Sequence, residues 1–145
     1  MNPTTLRTLI GIFLIAHGFM TMSIATVPVP AQGGLHTPFF PSWWRDNVDS
    51  TWPASRLGWS NGLVRTTGWI LWTAALVLFA AAGAGLLGIP GLSNLWQIFA
   101  AAGGFISLIL LALFWHPWLV LGVLINLGIL GGVITGWFSR WFPIQ

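Results

Sequence analysis

The stretch that decides the fold is residues 66–87, TTGWILWTAALVLFAAAGAGLL, which runs for 22 residues without a charged side chain. At a helical rise of about 1.5 Å per residue, a run of this length crosses the hydrocarbon core of a bilayer. Strands that cross membranes alternate apolar and polar residues, and this stretch does not alternate. It therefore predicts a transmembrane helix.

Three further apolar runs have the same character, so the sequence predicts an all-α protein with a single membrane domain over residues 1–145. The architecture is a four-transmembrane-helix bundle with spans at residues 6–27, 66–87, 95–115 and 118–138. The first run also has signal-peptide features, with Arg7 before it and small residues at 23–25, and we expect a retained membrane anchor. The links between the last three spans are short, which favours antiparallel neighbours.

The composition of the whole chain excludes several classes of protein. Only 5% of its residues are charged, whereas a soluble domain carries about 25%. The absence of cysteine excludes thiolate metal sites and thiol chemistry. Five scattered arginines do not form the basic patch that nucleic-acid binding requires. The partners that remain are the lipid bilayer and other membrane proteins.

The connection over residues 28–65 is long and rich in tryptophan and proline, and it contains both acidic residues of the chain, Asp46 and Asp49. Its four tryptophans favour a position along the membrane surface, with the rings at headgroup depth. Two aromatic belts are predicted in the spans, one from Trp69, Trp115 and Trp118 and the other from Trp96, Trp137 and Trp141. We expect a prokaryotic inner-membrane protein with both termini in the cytoplasm.

Glycines in the last two spans predict close helix packing, since small residues let membrane helices approach each other. Gly128, Gly132 and Gly136 recur every four residues, and Gly104 lies four residues after Ala100. The partner of these glycines is either another helix of this chain or a second protein.

Three polar residues lie at comparable predicted depth near the middle of their spans, namely His17, Ser107 and Asn126. A buried polar group is costly in lipid unless it has a partner, so a hydrogen-bonded cluster is predicted. Three hypotheses follow: the cluster fixes helix register, His17 ligates the metal of a pigment or haem, or His17 contacts a quinone. A haem with two histidine ligands is disfavoured because His36 and His116 lie outside the spans. The sequence requires no cofactor, and it contains no metal-ligand motif or catalytic constellation.

Several short motifs resemble the DoxX-like family of small four-helix integral membrane proteins. They are Leu6-Arg7-Thr8, Leu14-Ile15-Ala16-His17-Gly18, Gly85-Leu86-Leu87-Gly88 and the stretch from Trp118 to Asn126. The resemblance implies a four-span bundle, cytoplasmic termini and association with membrane redox systems. Thr21 stands where many relatives carry a lysine, and the loop is longer than usual. We therefore expect a non-catalytic accessory subunit of a respiratory or photosynthetic electron-transport complex, with a quinone-linked oxidoreductase component as the alternative.

Overall fold

The computed structural model describes residues 2–24, 56–115 and 119–141, and the regular elements in these ranges are all helices. In chain order they are α1 (Pro3–Ile24), α2 (Asn61–Leu86), α3 (Trp96–Leu113), α4 (Val120–Ile134) and α5 (Trp137–Trp141). The all-α prediction is confirmed for this part of the chain. Most of the predicted 28–65 loop, including both aspartates, lies outside the described residues.

Within the described residues, three helices are long and apolar enough to cross a membrane, and they correspond to the first three predicted spans. The qualifying segments are Pro3–Thr21, Gly62–Leu86 and Trp96–Leu113. Helix α4 is apolar but only 15 residues long, which corresponds to about 22 Å against a hydrocarbon core of about 30 Å.

The predicted span at 118–138 is interrupted, because α4 ends before Gly136. This glycine has φ of 64°, a left-handed conformation that glycine adopts without steric cost and that commonly ends a helix. The Thr135 hydroxyl donates to the carbonyl of Gly131 at 2.7 Å, inside the last turn. The chain then forms α5, whose Phe138 ring lies where a side chain at Gly132 would be. The region of the predicted span at 118–138 therefore contains two helices, α4 and α5, separated by a turn.

Helix α2 begins five residues before the predicted span because Ser60 caps it. The Ser60 hydroxyl accepts from the backbone N–H of Leu63 at 3.3 Å, which satisfies one of the free donors of the first turn. Trp59, immediately before the cap, packs against the buried pair Val64 and Leu110. The last tryptophan of the predicted loop thus contacts α2 and α3.

The helices pack in chain order, with α1 on α2, α2 on α3, and α3 on α4. Helices α1 and α2 approach most closely at Gly11 and Gly83, where a Cβ on Gly83 would collide with the Gly11 carbonyl oxygen. The largest cluster of buried apolar side chains draws on α1, α2, α3 and α4. Its members are Leu14, Phe79, Ala82, Leu86, Trp96, Ala100 and Ile129.

Trp96 is a core residue, contrary to its predicted place in an aromatic belt. Its side chain is only 2% exposed, and its ring meets the Phe138 ring edge-on at a centroid distance of 5.7 Å. Trp69, Trp115 and Trp137 are exposed, as expected of belt residues. Trp118 and the Trp141 side chain lie outside the described part. The first turn of α3 is thus covered by α5, which the sequence pattern did not indicate.

Candidate functional site

His17, Asn126 and Ser107 form a continuous hydrogen-bonded chain across α1, α4 and α3. The Nε2 atom of His17 lies 3.0 Å from Oδ1 of Asn126, and Nδ2 of Asn126 donates to the Ser107 hydroxyl at 2.8 Å. His17 is 3% exposed, and the other two side chains are fully buried. The structure therefore brings together the three residues that the sequence placed at one depth, and we call them the polar cluster.

The position of His17 is set by its neighbours on α1 and α2. Gly18 lets α1 approach α2, since a Cβ there would lie 3.1 Å from Cβ of Phe79. The Phe79 ring meets the imidazole edge-on at 4.9 Å, and the Phe13 ring stacks on it at 5.7 Å. One turn further on, the Thr21 hydroxyl donates to the His17 carbonyl at 2.9 Å. The imidazole is thus packed on two sides before it reaches Asn126.

With the Asn126 amide oriented as it is in this structure, Nε2 of His17 is the donor of their hydrogen bond. Because Asn126 donates through Nδ2 to Ser107, its Oδ1 is the atom that faces His17 and can only accept. Nε2 of His17 therefore carries a hydrogen and donates it. One amide side chain thus gives a partner to the imidazole and to the hydroxyl.

This geometry does not form a catalytic arrangement. Ser107 and His17 are joined through Asn126, so no direct nucleophile–base hydrogen bond exists between them. The described ranges 2–24, 56–115 and 119–141 contain no aspartate or glutamate that would orient or charge the imidazole. All three side chains of the cluster are also buried. The two hydrogen bonds join α1, α4 and α3 at one level.

The residues around His17 do not fit a haem or chlorin. The nitrogen that would ligate the metal, Nε2, is already 3.0 Å from Asn126. The rings of Phe13 and Phe79 lie against the imidazole. A macrocycle would have to displace Asn126, which would leave the buried Ser107 without its donor. Elsewhere in the described segments, no group of three or more His, Cys, Asp or Glu could hold a metal ion.

The four glycines predicted to pack helices have four different surroundings. A Cβ on Gly104 would lie 3.4 Å from Leu130, so this glycine packs α3 against α4. Gly132 is covered by Phe138, and Gly136 ends α4 with its positive φ. A Cβ on Gly128 would meet no described atom within 4 Å. Gly128, Gly132 and Gly136 therefore do not form one internal packing face.

Sequence reasoning missed the glycines of the α1–α2 crossing and the role of Thr21. Gly11 and Gly18 lie seven residues apart, two helical turns on one face, and this spacing was the available signal. Gly83, the α2 counterpart of Gly11, lies within a run of small residues whose spacing does not single it out. Thr21 is 2% exposed, and its hydroxyl donates a hydrogen bond to a carbonyl of its own helix. No pattern in the sequence distinguishes that role from a lipid-facing threonine.

Comparison with known proteins gives no match. No family model matches the chain, and neither the curated proteins nor the solved structures contain a significant match to it.

Proposed function

We propose that this protein is a non-catalytic accessory subunit of a larger membrane redox complex in a prokaryotic inner membrane. The observation that carries the proposal is the closed polar cluster, in which His17, Asn126 and Ser107 satisfy one another out of reach of substrate. A catalytic site needs a polar group that substrate can reach. A cluster that fixes the relative register of helices needs its polar groups to be hydrogen-bonded to one another, as they are here.

The outer face of α4 supports a role in assembly. Gly128 and Gly131 have open space where their Cβ atoms would be, and Leu124 and Leu127 beside them are more than half exposed. Small residues let a second helix approach the backbone closely, which is a main source of attraction between helices in lipid. This face is therefore suited to a transmembrane helix of another subunit.

The redox context of the proposal rests on the resemblance to DoxX-like proteins. In that context the chain contributes four crossings and has both termini in the cytoplasm. Thr21 replaces the lysine of many relatives, and its hydroxyl bonds to the His17 carbonyl. This position thus supports the helix and provides no charge for chemistry, which favours an accessory role.

The proposal is tested by gentle solubilisation of the native membrane, native electrophoresis, an absorption spectrum and mass spectrometry of the band that contains this chain. We expect a large band that also contains redox subunits. The substitution Gly128→Leu should release the chain from that band, because the new side chain blocks close approach. Ile70→Phe, on the exposed face of α2, is the control and should leave the band intact. Migration of the native chain alone would refute the accessory role.

One observation favours a quinone-linked component as the second candidate. Phe13, which stacks on His17, is 46% exposed, so a single aromatic ring separates the polar cluster from the lipid. In this alternative, rotation of Phe13 would admit a quinone head to His17 and Asn126. His17→Ala should then abolish quinone-dependent turnover in a folded protein. Retained turnover would exclude the alternative.

A further inference from the structure

An apolar cavity of about 120 Å³ lies beside the polar cluster, toward the start of α1. Helix α1 contributes Ile10, Phe13 and Leu14, and α3 contributes Trp96 and Ala100. Ile129 of α4 and Phe138 of α5 complete the lining. Because no polar atom faces the cavity, water inside it would have no hydrogen-bond partner, and cavities of this kind stay dry.

The cavity follows from the packing order of the helices. Helices α1 and α4 are not packed directly along their length, whereas each is packed on its neighbour in the chain. The His17–Asn126 hydrogen bond joins them at one level, and the gap remains open on the side toward the chain termini. Phe13, at 46% exposure, lines the cavity and also reaches the molecular surface.

Two arginines lie at the same end of the bundle, Arg7 on α1 and Arg140 on α5. Nε of Arg7 donates to the Leu86 carbonyl at 2.7 Å, which places the guanidinium at the C-terminus of α2. Arg140 lies in the last turn of α5 and is exposed. The described segments contain no carboxylate, so the structure shows no anionic partner for either arginine. A phosphate is the anion that a bilayer offers at this position.

We propose that this cavity binds part of one acyl chain of an anionic phospholipid, whose phosphate is bound by the terminal nitrogens of Arg7. The apolar lining contacts the hydrocarbon of the acyl chain. The guanidinium of Arg7, one to two helical turns before the lining residues of α1, binds the negatively charged phosphate. Arg140 adds positive charge at the same end. The proposal concerns the isolated chain and does not depend on a partner complex, so it stands or falls separately from the accessory role.

The test uses the purified full chain in nanodiscs that contain phosphatidylglycerol with a photoreactive diazirine in its acyl chain. We expect crosslinks to peptides that carry cavity-lining residues. Ala100→Leu, which fills the cavity, should lower the yield of these crosslinks about tenfold, a change that corresponds to about 1.4 kcal/mol. Val77→Leu, which enlarges an exposed side chain of α2, is the matched control and should leave the yield unchanged.

Ile129→Phe fills the cavity from the opposite wall. It serves as a second, independent variant if Ala100→Leu does not fold. Thermal unfolding of each variant shows whether the fold is kept. Arg7→Gln should remove the preference for phosphatidylglycerol over phosphatidylcholine and leave acyl crosslinking in place. Unchanged crosslinking in both folded cavity variants would overturn the proposal. Preferential labelling by a diazirine polyisoprenoid would also overturn it, because it would assign the cavity to a different lipid class.

Discussion

Asn126 uses both ends of its side-chain amide, accepting from His17 on α1 and donating to Ser107 on α3. In lipid, hydrogen bonds of this kind contribute about 0.6 kcal/mol on average and up to about 2 kcal/mol. Their larger effect appears when one partner is removed, because the remaining polar group is buried without a partner. Each hydrogen bond of the polar cluster therefore adds little to the free energy of unfolding. Helix arrangements that separate these side chains are disfavoured more strongly, because they leave a buried polar group without a partner.

A double-mutant cycle on His17 and Asn126 measures this selection. Asn126→Leu alone should lower the free energy of unfolding by about 1–2 kcal/mol, since it leaves two buried groups unsatisfied. His17→Phe combined with Asn126→Leu should lower it by less than the sum of the single changes, because only Ser107 is then left without its partner. Unfolding by sodium dodecyl sulfate in mixed micelles gives these values. Additive changes would show that the two side chains are not coupled.

Depth along a span was enough to predict the polar cluster, because a polar group in hydrocarbon has few alternatives to another polar group. The same reasoning failed for Trp96. Tryptophans near a span end are usually interfacial, but Trp96 is covered by Phe138 from an element that forms only because Gly136 turns the chain. That contact depends on a local backbone conformation, and hydrophobic patterning contains no information about it.

Trp96→Leu and Trp137→Leu compare a buried and an exposed tryptophan at the same end of the bundle. Trp96 is 2% exposed and Trp137 is 49% exposed. The first substitution opens space beside the existing cavity and should cost about 2 kcal/mol or more. The second should change the free energy of unfolding by less than half of that amount. The same detergent titration measures both variants, and equal effects would show that Trp96 is not a core residue.

At the scale of elements, α1 and α2 are held together by the close approach of their backbones. The carbonyl oxygen of Gly11 and the side chain of Ile15 occupy the space that a Cβ on Gly83 would need. In lipid such contacts replace the hydrophobic driving force that packs helices in water. The position of this crossing was not predicted because several small residues of α2 have equivalent spacing.

Gly83→Ala and Gly128→Ala are the same chemical change at two helical glycines with opposite surroundings. Gly83→Ala must push α1 away from α2 and should cost about 1–3 kcal/mol, as overpacking typically does. Gly128 has open space around it, so Gly128→Ala should be neutral or slightly stabilising through helix propensity. Thermal unfolding in detergent compares the two. A neutral Gly83→Ala would contradict the close crossing.

At the scale of the whole molecule, residues 119–138 run back along the full length of α3. Asn126 lies level with Ser107 in the middle of α3, and Phe138 meets Trp96 at its first residue. Helix α4 alone is short for a bilayer, but α4, the turn at Gly136 and α5 together cover residues 120–141, which is more than the 18 residues of α3. Since α3 is long and apolar enough to cross, we expect the returning segment to cross as well.

A fourth crossing requires both chain termini to lie on the same side of the membrane. The chain has no cysteine, so single cysteines can be introduced and labelled with a membrane-impermeant maleimide in intact cells and in inverted vesicles. Asn2→Cys and Gln145→Cys should both react only in inverted vesicles, which places the termini in the cytoplasm. Leu57→Cys, in the exposed segment before α2, should react only in intact cells. If Gln145→Cys instead reacts together with Leu57→Cys, the segment from α4 to α5 does not cross, and the protein spans the membrane three times.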